Sequence, residues 1–224
     1  MKLNSDFSQR VVVHSDLIKW LPSPIAGVER RMLDRLGDEV ARATTIVRYA
    51  PNSKFSPHVH NGGEEFIVLD GVFQDEHGNY PAGSYIRNPP QSSHTPGSED
   101  GCIIFVKLWQ FDLQDRTSVR ISPDDMAVVT DPQRPNILAT PLFKDEREEV
   151  RIEFWFANTE VKIDAVNGAE LLVLSGSFTE GEDELVTNSW LRVPVNSQIV
   201  ARTGNRGAKV WLKTGHLPFV SVPN

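Results

Sequence analysis

Cysteine is almost absent from the chain, with Cys102 its only instance. No intrachain disulfide can form, and every zinc ribbon or finger that needs two or more thiolates is excluded, so any metal must be held by histidine and carboxylate. Long apolar runs are missing too. No uninterrupted stretch approaches the roughly 20 residues that a membrane-spanning helix requires, so the chain reads as soluble and globular. Basic residues are in deficit, 23 against 30 acidic for a net charge of -7. No segment concentrates Lys and Arg as a phosphate-binding face would, which argues against direct contact with nucleic acid. The opening MKLNSDFSQRVVVHSDLIKW is polar and charged throughout and lacks the apolar core and cleavage site of a secretory signal. A cytoplasmic protein without membrane contact is expected.

What remains is β-rich. The 224 residues include 15 Gly and 15 Pro, which punctuate short β-branched or aromatic runs at Thr44 to Ala50, Glu65 to Leu69, Ile103 to Leu108, Arg151 to Phe156, Leu171 to Leu174 and Lys209 to Lys213. In Arg151 to Phe156 the side chains of Ile152, Phe154 and Phe156 fall on one face and those of Arg151, Glu153 and Trp155 on the other, the pattern of a half-buried strand. One helix is expected, from Ile25 to Leu36, where Val28, Met32, Leu33 and Leu36 keep roughly helical spacing.

The chain also repeats itself. GEEFIVLDG at Gly63 to Gly71 recurs as GAELLVLSG at Gly168 to Gly176, an offset of 105 residues. At that offset Tyr85-Ile86-Arg87 meets Trp190-Leu191-Arg192 and Pro89 meets Pro194; one residue later, Gly101 to Lys107 matches Gly207 to Lys213. Two copies of one β module follow. The fold class is all-β, with a first domain over 1–118 and a second over 119–224, separated in the polar, proline-containing stretch that begins at Ser118.

Chemistry is concentrated in the first copy. His58 and His60 stand at i, i+2, so on a strand both imidazoles project from one face with their Cα atoms about 7 Å apart. The loop Asn61-Gly62-Gly63 can turn through positive φ and delivers Glu64, and the proline-stiffened turn Pro89-Pro90 leads to His94. Three imidazoles and a carboxylate suit Zn²⁺, Fe²⁺, Mn²⁺ or Ni²⁺. A chance H-x-H with Glu four residues later is expected on the order of 0.01 times in a chain of this composition. His14, His77 and His216 have no partner at ligand spacing and are left out of the site.

His58-Val59-His60 followed by Glu64 and Gly71 resembles the first cupin motif, and Gly83 with Pro89 and His94 resembles the second. The stretch PHVHNGGEEFIVLDGVFQDEHGNYPAGSYIRNPPQSSHTP is similar to the cupin-like domain of the ChrR family, zinc-dependent anti-sigma factors that restrain extracytoplasmic-function sigma factors. The likeness covers about Thr44 to Leu108. It implies tandem cupin barrels of the jelly-roll, double-stranded β-helix type. It also implies one divalent ion, zinc before iron, manganese or nickel, held by His58, His60, Glu64 and His94.

Three positions depart from the motifs. Asn52 and Gln91 stand where glycines are usual, and Ser98 where asparagine is. The H-x3-C-x2-C zinc segment with which ChrR proteins bind sigma does not fit a chain with one cysteine. A sigma factor or a small-molecule effector is the partner that the resemblance implies, and duplicated cupins commonly form homodimers.

The second copy places Ile163, Ala165, Ala169 and Ile199 where the first has its four candidate ligands, so no ion is expected there. Glu153, Trp155, Trp190 and Gln198 would line a pocket for a small organic ligand if they face inward, although tryptophan as core filler is the simpler account. Cys102 reads as a small buried hydrophobe, and the acidic clusters 145–149 and 180–184 as solvated hairpin turns. Two functional classes stay open. One is a metal-binding or sensing module with a closed four-ligand shell; the other is a metal-dependent dioxygenase or isomerase with open coordination positions. No catalytic base is identifiable from spacing.

Overall fold

The computed structural model describes residues 1–38 and 40–223. Among them, helix is confined to the short 3-10 turns Ser15–Leu17, Pro123–Asp125 and Leu217–Phe219. The chain forms two compact units. One comprises Met1–Ser5, Lys19–Asp125 and the residues from Ser221 onward; the other comprises Asp6–Ile18 and Met126–Val220.

In the first unit, the antiparallel order Val28–Gly37, Ala41–Tyr49, Cys102–Leu108, Glu64–Asp75, Tyr85–Asn88, Val119–Ile121 carries the main sheet. In the second, Ile137–Lys144, Glu149–Trp155, Ser197–Thr214, Ala169–Glu180, Ser189–Val193, Val11–His14 repeat that order. The duplication read in the sequence is therefore a duplication of topology. Its division differs from the expected one, because the first 118 residues do not stay together. Val11–His14 is the edge strand beside Ser189–Val193, with Val12 opposite Leu191. The equivalent place in the first unit is taken by Val119–Ile121, with Arg120 opposite Ile86. Both receiving strands leave backbone donors and acceptors that a neighbour must satisfy, and local sequence does not reveal which distant segment supplies it.

The expected helix at Ile25 to Leu36 is instead the strand Val28–Gly37, paired along its length with Ala41–Tyr49. A bulge between Met32 and Asp34 inserts Leu33 and resets the alternation of faces. Buried Val28 and Leu33 thus lie an odd number of residues apart, which breaks the strict alternation that would mark a strand.

Each unit has its own apolar interior. Phe66, Val68, Phe73, Ile86, Ile104 and Val106 alternate inward in the first. Leu171, Val173, Leu191, Val210 and Leu212 do so in the second. Each such side chain stabilises its unit by about 1.5–3 kcal/mol through burial.

The repeated glycines have a shared steric cause. Gly71 and Gly176 adopt φ of 69° and 76°, and a Cβ there would lie 2.1 Å from the Gly101 carbonyl oxygen or 2.2 Å from that of Gly207. The repeat also aligns charge. Glu65 lies opposite Arg87 and Lys107 on its two neighbouring strands, and Glu170 lies opposite Arg192 and Lys213 in the same way.

Candidate metal centre

His58 lies on the short strand His58–Val59, which pairs with Ser93–His94 so that His94 stands directly opposite His58. The chain keeps this ladder going through His60, whose N–H donates to the Ser92 carbonyl while its own carbonyl accepts from the Gln91 N–H. The turn then reverses at Gly63, φ 76°, where a Cβ would meet the Phe111 ring at 2.4 Å. It releases the chain into the strand Glu64–Asp75, with Glu64 as its first residue.

The three imidazoles converge. Ring centroids are 4.9 Å apart for His58 and His60, 4.9 Å for His58 and His94, and 4.6 Å for His60 and His94. One ring nitrogen from each lies within 4.8 Å of the other two. The Glu64 Oε2 atom is 3.5 Å from His60 Nε2 and 3.7 Å from His94 Nε2. Two donors each about 2.1 Å from a single ion stand about 3.4 Å apart at the tetrahedral angle, so the carboxylate sits at ligand-to-ligand separation from both rings. The structure thus brings His58, His60 and His94 together and sets Glu64 beside two of them.

Supporting contacts fix the rings. His94 Nδ1 is 3.3 Å from Asp75 Oδ2, which leaves Nε2 for the centre, and His58 Nδ1 is 3.4 Å from the Ser56 carbonyl oxygen. The Asn88 side-chain amide donates to Glu64 Oε2 at 3.1 Å. Imidazole ligands held by an outer carboxylate are the usual arrangement at protein metal sites. His60 Nε2 is buried without a hydrogen-bond partner among the described residues. A buried polar atom left this way costs free energy unless something fills its lone pair, and a cation at the convergence point would do so. The donor set therefore fits a divalent ion.

The electrostatics agree. Burial pushes the His60 imidazole below its ordinary value, helped by His94 and His58 and opposed by Glu64, so this ring is held neutral with its lone pair available. At His94 burial acts in the same downward sense but is outweighed by the hydrogen bond its Nδ1 donates to Asp75 and the charges of Glu64, Asp75 and Glu76, and the net shift is upward. Burial raises the Asp75 carboxyl, yet its hydrogen bonds to His94 and His77 carry it below the usual range.

Asp75 and Asn88 were missed by sequence reasoning. Asn88 follows directly on the Tyr85-Ile86-Arg87 match, and only the pairing Asn88↔Glu64 gives it a role. Asp75 lies at the far end of the strand that begins with Glu64, eleven residues on in the sequence, beyond a register shift opposite Ile103 and Ile104 that changes which face is inward.

Two of the motif departures share one conformation. Asn52 and Gln91, standing where glycine is usual, adopt φ of 59° and 71°, so the left-handed backbone is kept without the residue that favours it. Ser98 is buried and donates to the Val72 carbonyl at 2.7 Å.

The second unit has no such centre among the described residues. Ile163, Ala165, Ala169 and Ile199 are buried in its apolar cluster. The expected pocket residues do not come together. Trp155 is core, and Glu153, at 0% exposure, accepts from Arg134, Arg151 and the Trp155 indole N–H. The Trp190 indole faces Glu170, while Gln198 is exposed and bonds Asp164.

Cys102 is buried in the first core, its thiol pushed up to about 11 by burial against an opposing hydrogen bond from Ser98. The acidic clusters form hairpin turns that are not wholly solvated. Glu148 is buried against Lys213 at 2.9 Å, and Arg10 engages Glu180 and Asp183. His14 bonds Ser189, His216 bonds Glu170, and the His77 N–H donates to Asp75.

Residues 8–112 match a family model described as the ChrR cupin-like domain. No curated protein matches the chain. Among solved structures, a candidate dioxygenase of Nostoc punctiforme superposes with a TM-score of 0.78 at 14% identity, over 97% of this chain and 87% of that one. YlbA of Escherichia coli gives 0.69 at 14% identity over 93% and 92%. The bacterial pirin YhhW of E. coli, solved in complex with nickel(II), gives 0.65 at 13% identity over 92% and 98%. At these identities the likeness establishes the cupin fold alone. No helix among the described residues is long and apolar enough to cross a membrane.

Proposed function

We propose, for a chain whose residues 8–112 match the ChrR cupin-like domain, that the first unit binds one divalent cation through His58, His60, Glu64 and His94. The cation is zinc, and the protein works as a metal-dependent binding or sensing module, with a small-molecule effector or a sigma factor as its partner. The observation that carries this is the convergence of three imidazoles, two of which place Nε2 beside one Glu64 carboxylate oxygen, with His60 Nε2 buried and otherwise unpartnered. Three imidazoles and one carboxylate would complete a tetrahedral shell, and the metal would supply charge and fixed geometry to the site.

Metal analysis of the purified protein is the test. One zinc per chain is expected, falling below a tenth in His60→Ala and in His94→Ala; unchanged content in both variants would overturn the reading. Co-expression with extracytoplasmic-function sigma factors separates the partners, since a sigma factor that co-purifies selects protein binding and none selects the small effector.

A second reading rests on the exposure of His58. One side of the centre faces solvent, which would admit a fifth or sixth ligand and suit dioxygenase or isomerase chemistry on iron, manganese or nickel. The Nostoc protein described as a candidate dioxygenase shares the fold. Coordination number by X-ray absorption decides between the two. Four nitrogen and oxygen donors support the sensing module, and five or six support catalysis.

A further inference from the structure

The two outer contacts of the centre meet at one residue. Asp75, whose Oδ2 faces His94, uses Oδ1 to accept from the Tyr80 hydroxyl at 3.2 Å and from the His77 N–H at 2.8 Å. That hydroxyl accepts in turn from Arg120 Nε at 3.0 Å. On the other side, Asn88 donates to Glu64 through its amide nitrogen and presents its carbonyl oxygen to Arg120 Nη2 at 3.5 Å. One guanidinium therefore touches both arms, the first ending on His94 and the second on Glu64. Proton directions are consistent around the whole circuit, since the cation only donates, the phenol accepts once and donates once, and both carboxylates only accept.

Arg120 is itself exposed. It lies on Val119–Ile121, the edge strand beside Tyr85–Asn88 and the last strand of the first unit before the chain passes into the second at Met126. The corresponding edge strand of the second unit, which has no ligands to support, carries Val12 opposite Leu191 where the first has Arg120 opposite Ile86. There the residue is apolar and packs on the core. The arginine thus coincides with the unit that has the candidate ligands.

We propose that Arg120 is a positioning residue for the metal centre, holding His94 through Tyr80 and Asp75 and Glu64 through Asn88, so that cation binding and the docking of the strand Val119–Ile121 are coupled. The inference rests on the metal-binding reading above. A planar fork holds its Nε and Nη2 donors at a fixed spacing that reaches both acceptors, which the compact ammonium of a lysine does not reproduce. Thermodynamic reciprocity then requires that whatever loosens this strand weakens the cation, and that the cation tightens the strand.

The test uses the full chain with Co²⁺ as probe, in wild type, Arg120→Ala, Arg120→Lys and Tyr80→Phe. Affinity is read by chelator competition, ligand geometry by the visible cobalt bands, and strand docking by amide hydrogen exchange over residues 119–121. Expected are an affinity loss on the order of 10-fold in all three variants, altered cobalt bands, and an unchanged thermal midpoint of the cobalt-free protein. Added Co²⁺ should slow exchange at 119–121 in wild type and leave it unchanged in Arg120→Ala. Wild-type affinity and bands in both Arg120→Ala and Tyr80→Phe would overturn the coupling while leaving the metal site standing. A wild type that binds no Co²⁺ would overturn both. If Arg120→Ala fails to fold, Arg120→Gln and Tyr80→Phe carry the same comparison.

Discussion

His94 stands directly opposite His58 across a two-stranded ladder, and in the second unit Ile199 stands opposite Ile163 in the same pairing. The duplication preserved the register and replaced the chemistry. Where the first copy brings imidazoles together, the second brings together branched aliphatic side chains with 6% and 0% exposure, and its stability comes to depend on their dryness.

Restoring a single ligand type to the second copy is therefore costly. Ile199→His puts a polar ring into an apolar cluster with no partner for its nitrogens and should destabilise that unit by about 2–4 kcal/mol. Denaturant titration measures this directly, and metal content should stay at the wild-type level because one imidazole makes no site.

Metal should stabilise the first unit selectively. At a free cation concentration a hundredfold above the dissociation constant, the gain is about 2.7 kcal/mol. Amide exchange should slow in His58–Val59 and Ser93–His94 on addition of zinc, with no change in Ala169–Glu180, and His60→Ala should abolish the effect. Uniform slowing in both units would contradict a single site.

The interior carboxylate of the second unit predicts a pH dependence. Burial raises the Glu153 carboxyl, but hydrogen bonds and charge from Arg134 and Arg151 outweigh it and hold the group below its ordinary 4.5. A folded-state value below the unfolded one contributes stability above about pH 4.5 that is lost as the pH falls through the depressed folded value. Glu153→Gln, which takes the buried anion from Arg134 and leaves Arg151 only Glu149, should cost about 3 kcal/mol at neutral pH. It should also flatten the fall in stability on acidification. A variant with wild-type acid sensitivity would remove Glu153 from this account.

Gln91 offers a gain instead of a loss. Its backbone is at φ 71°, a conformation that costs a residue with a Cβ about 1–2 kcal/mol, while glycine costs roughly 0.5–1 kcal/mol in unfolded-chain entropy. Gln91→Gly keeps the N–H that bonds the His60 carbonyl and should raise stability by up to about 1 kcal/mol, seen as a higher denaturation midpoint with metal binding retained.

Much of the first unit's site was legible because its signal is local. The i, i+2 pair His58 and His60, the glycine turn and Glu64 occupy seven consecutive positions, and strand geometry alone directs the two imidazoles to one side. His94 stood out only as a third histidine after a proline-stiffened turn, and its tie to His58 comes from the strand pairing. Asp75, Asn88 and Arg120 gave no signal at all, because each acquires its role through pairing with a strand distant in sequence. The misread helix has the same origin, as the bulge at Leu33 exists only opposite Ala41–Tyr49.

The amino-acid order by itself determined an all-β duplication, one copy able to gather metal ligands and the other not, since alternation, turn glycines and ligand spacing are encoded within a few residues. Tertiary structure decided which segments close each sheet, sending Val11–His14 to the second unit and Val119–Ile121 to the first. It also decided which polar groups stand behind the ligands. Those choices depend on hydrogen-bond partners and buried faces supplied by residues tens of positions away, and no local pattern carries them.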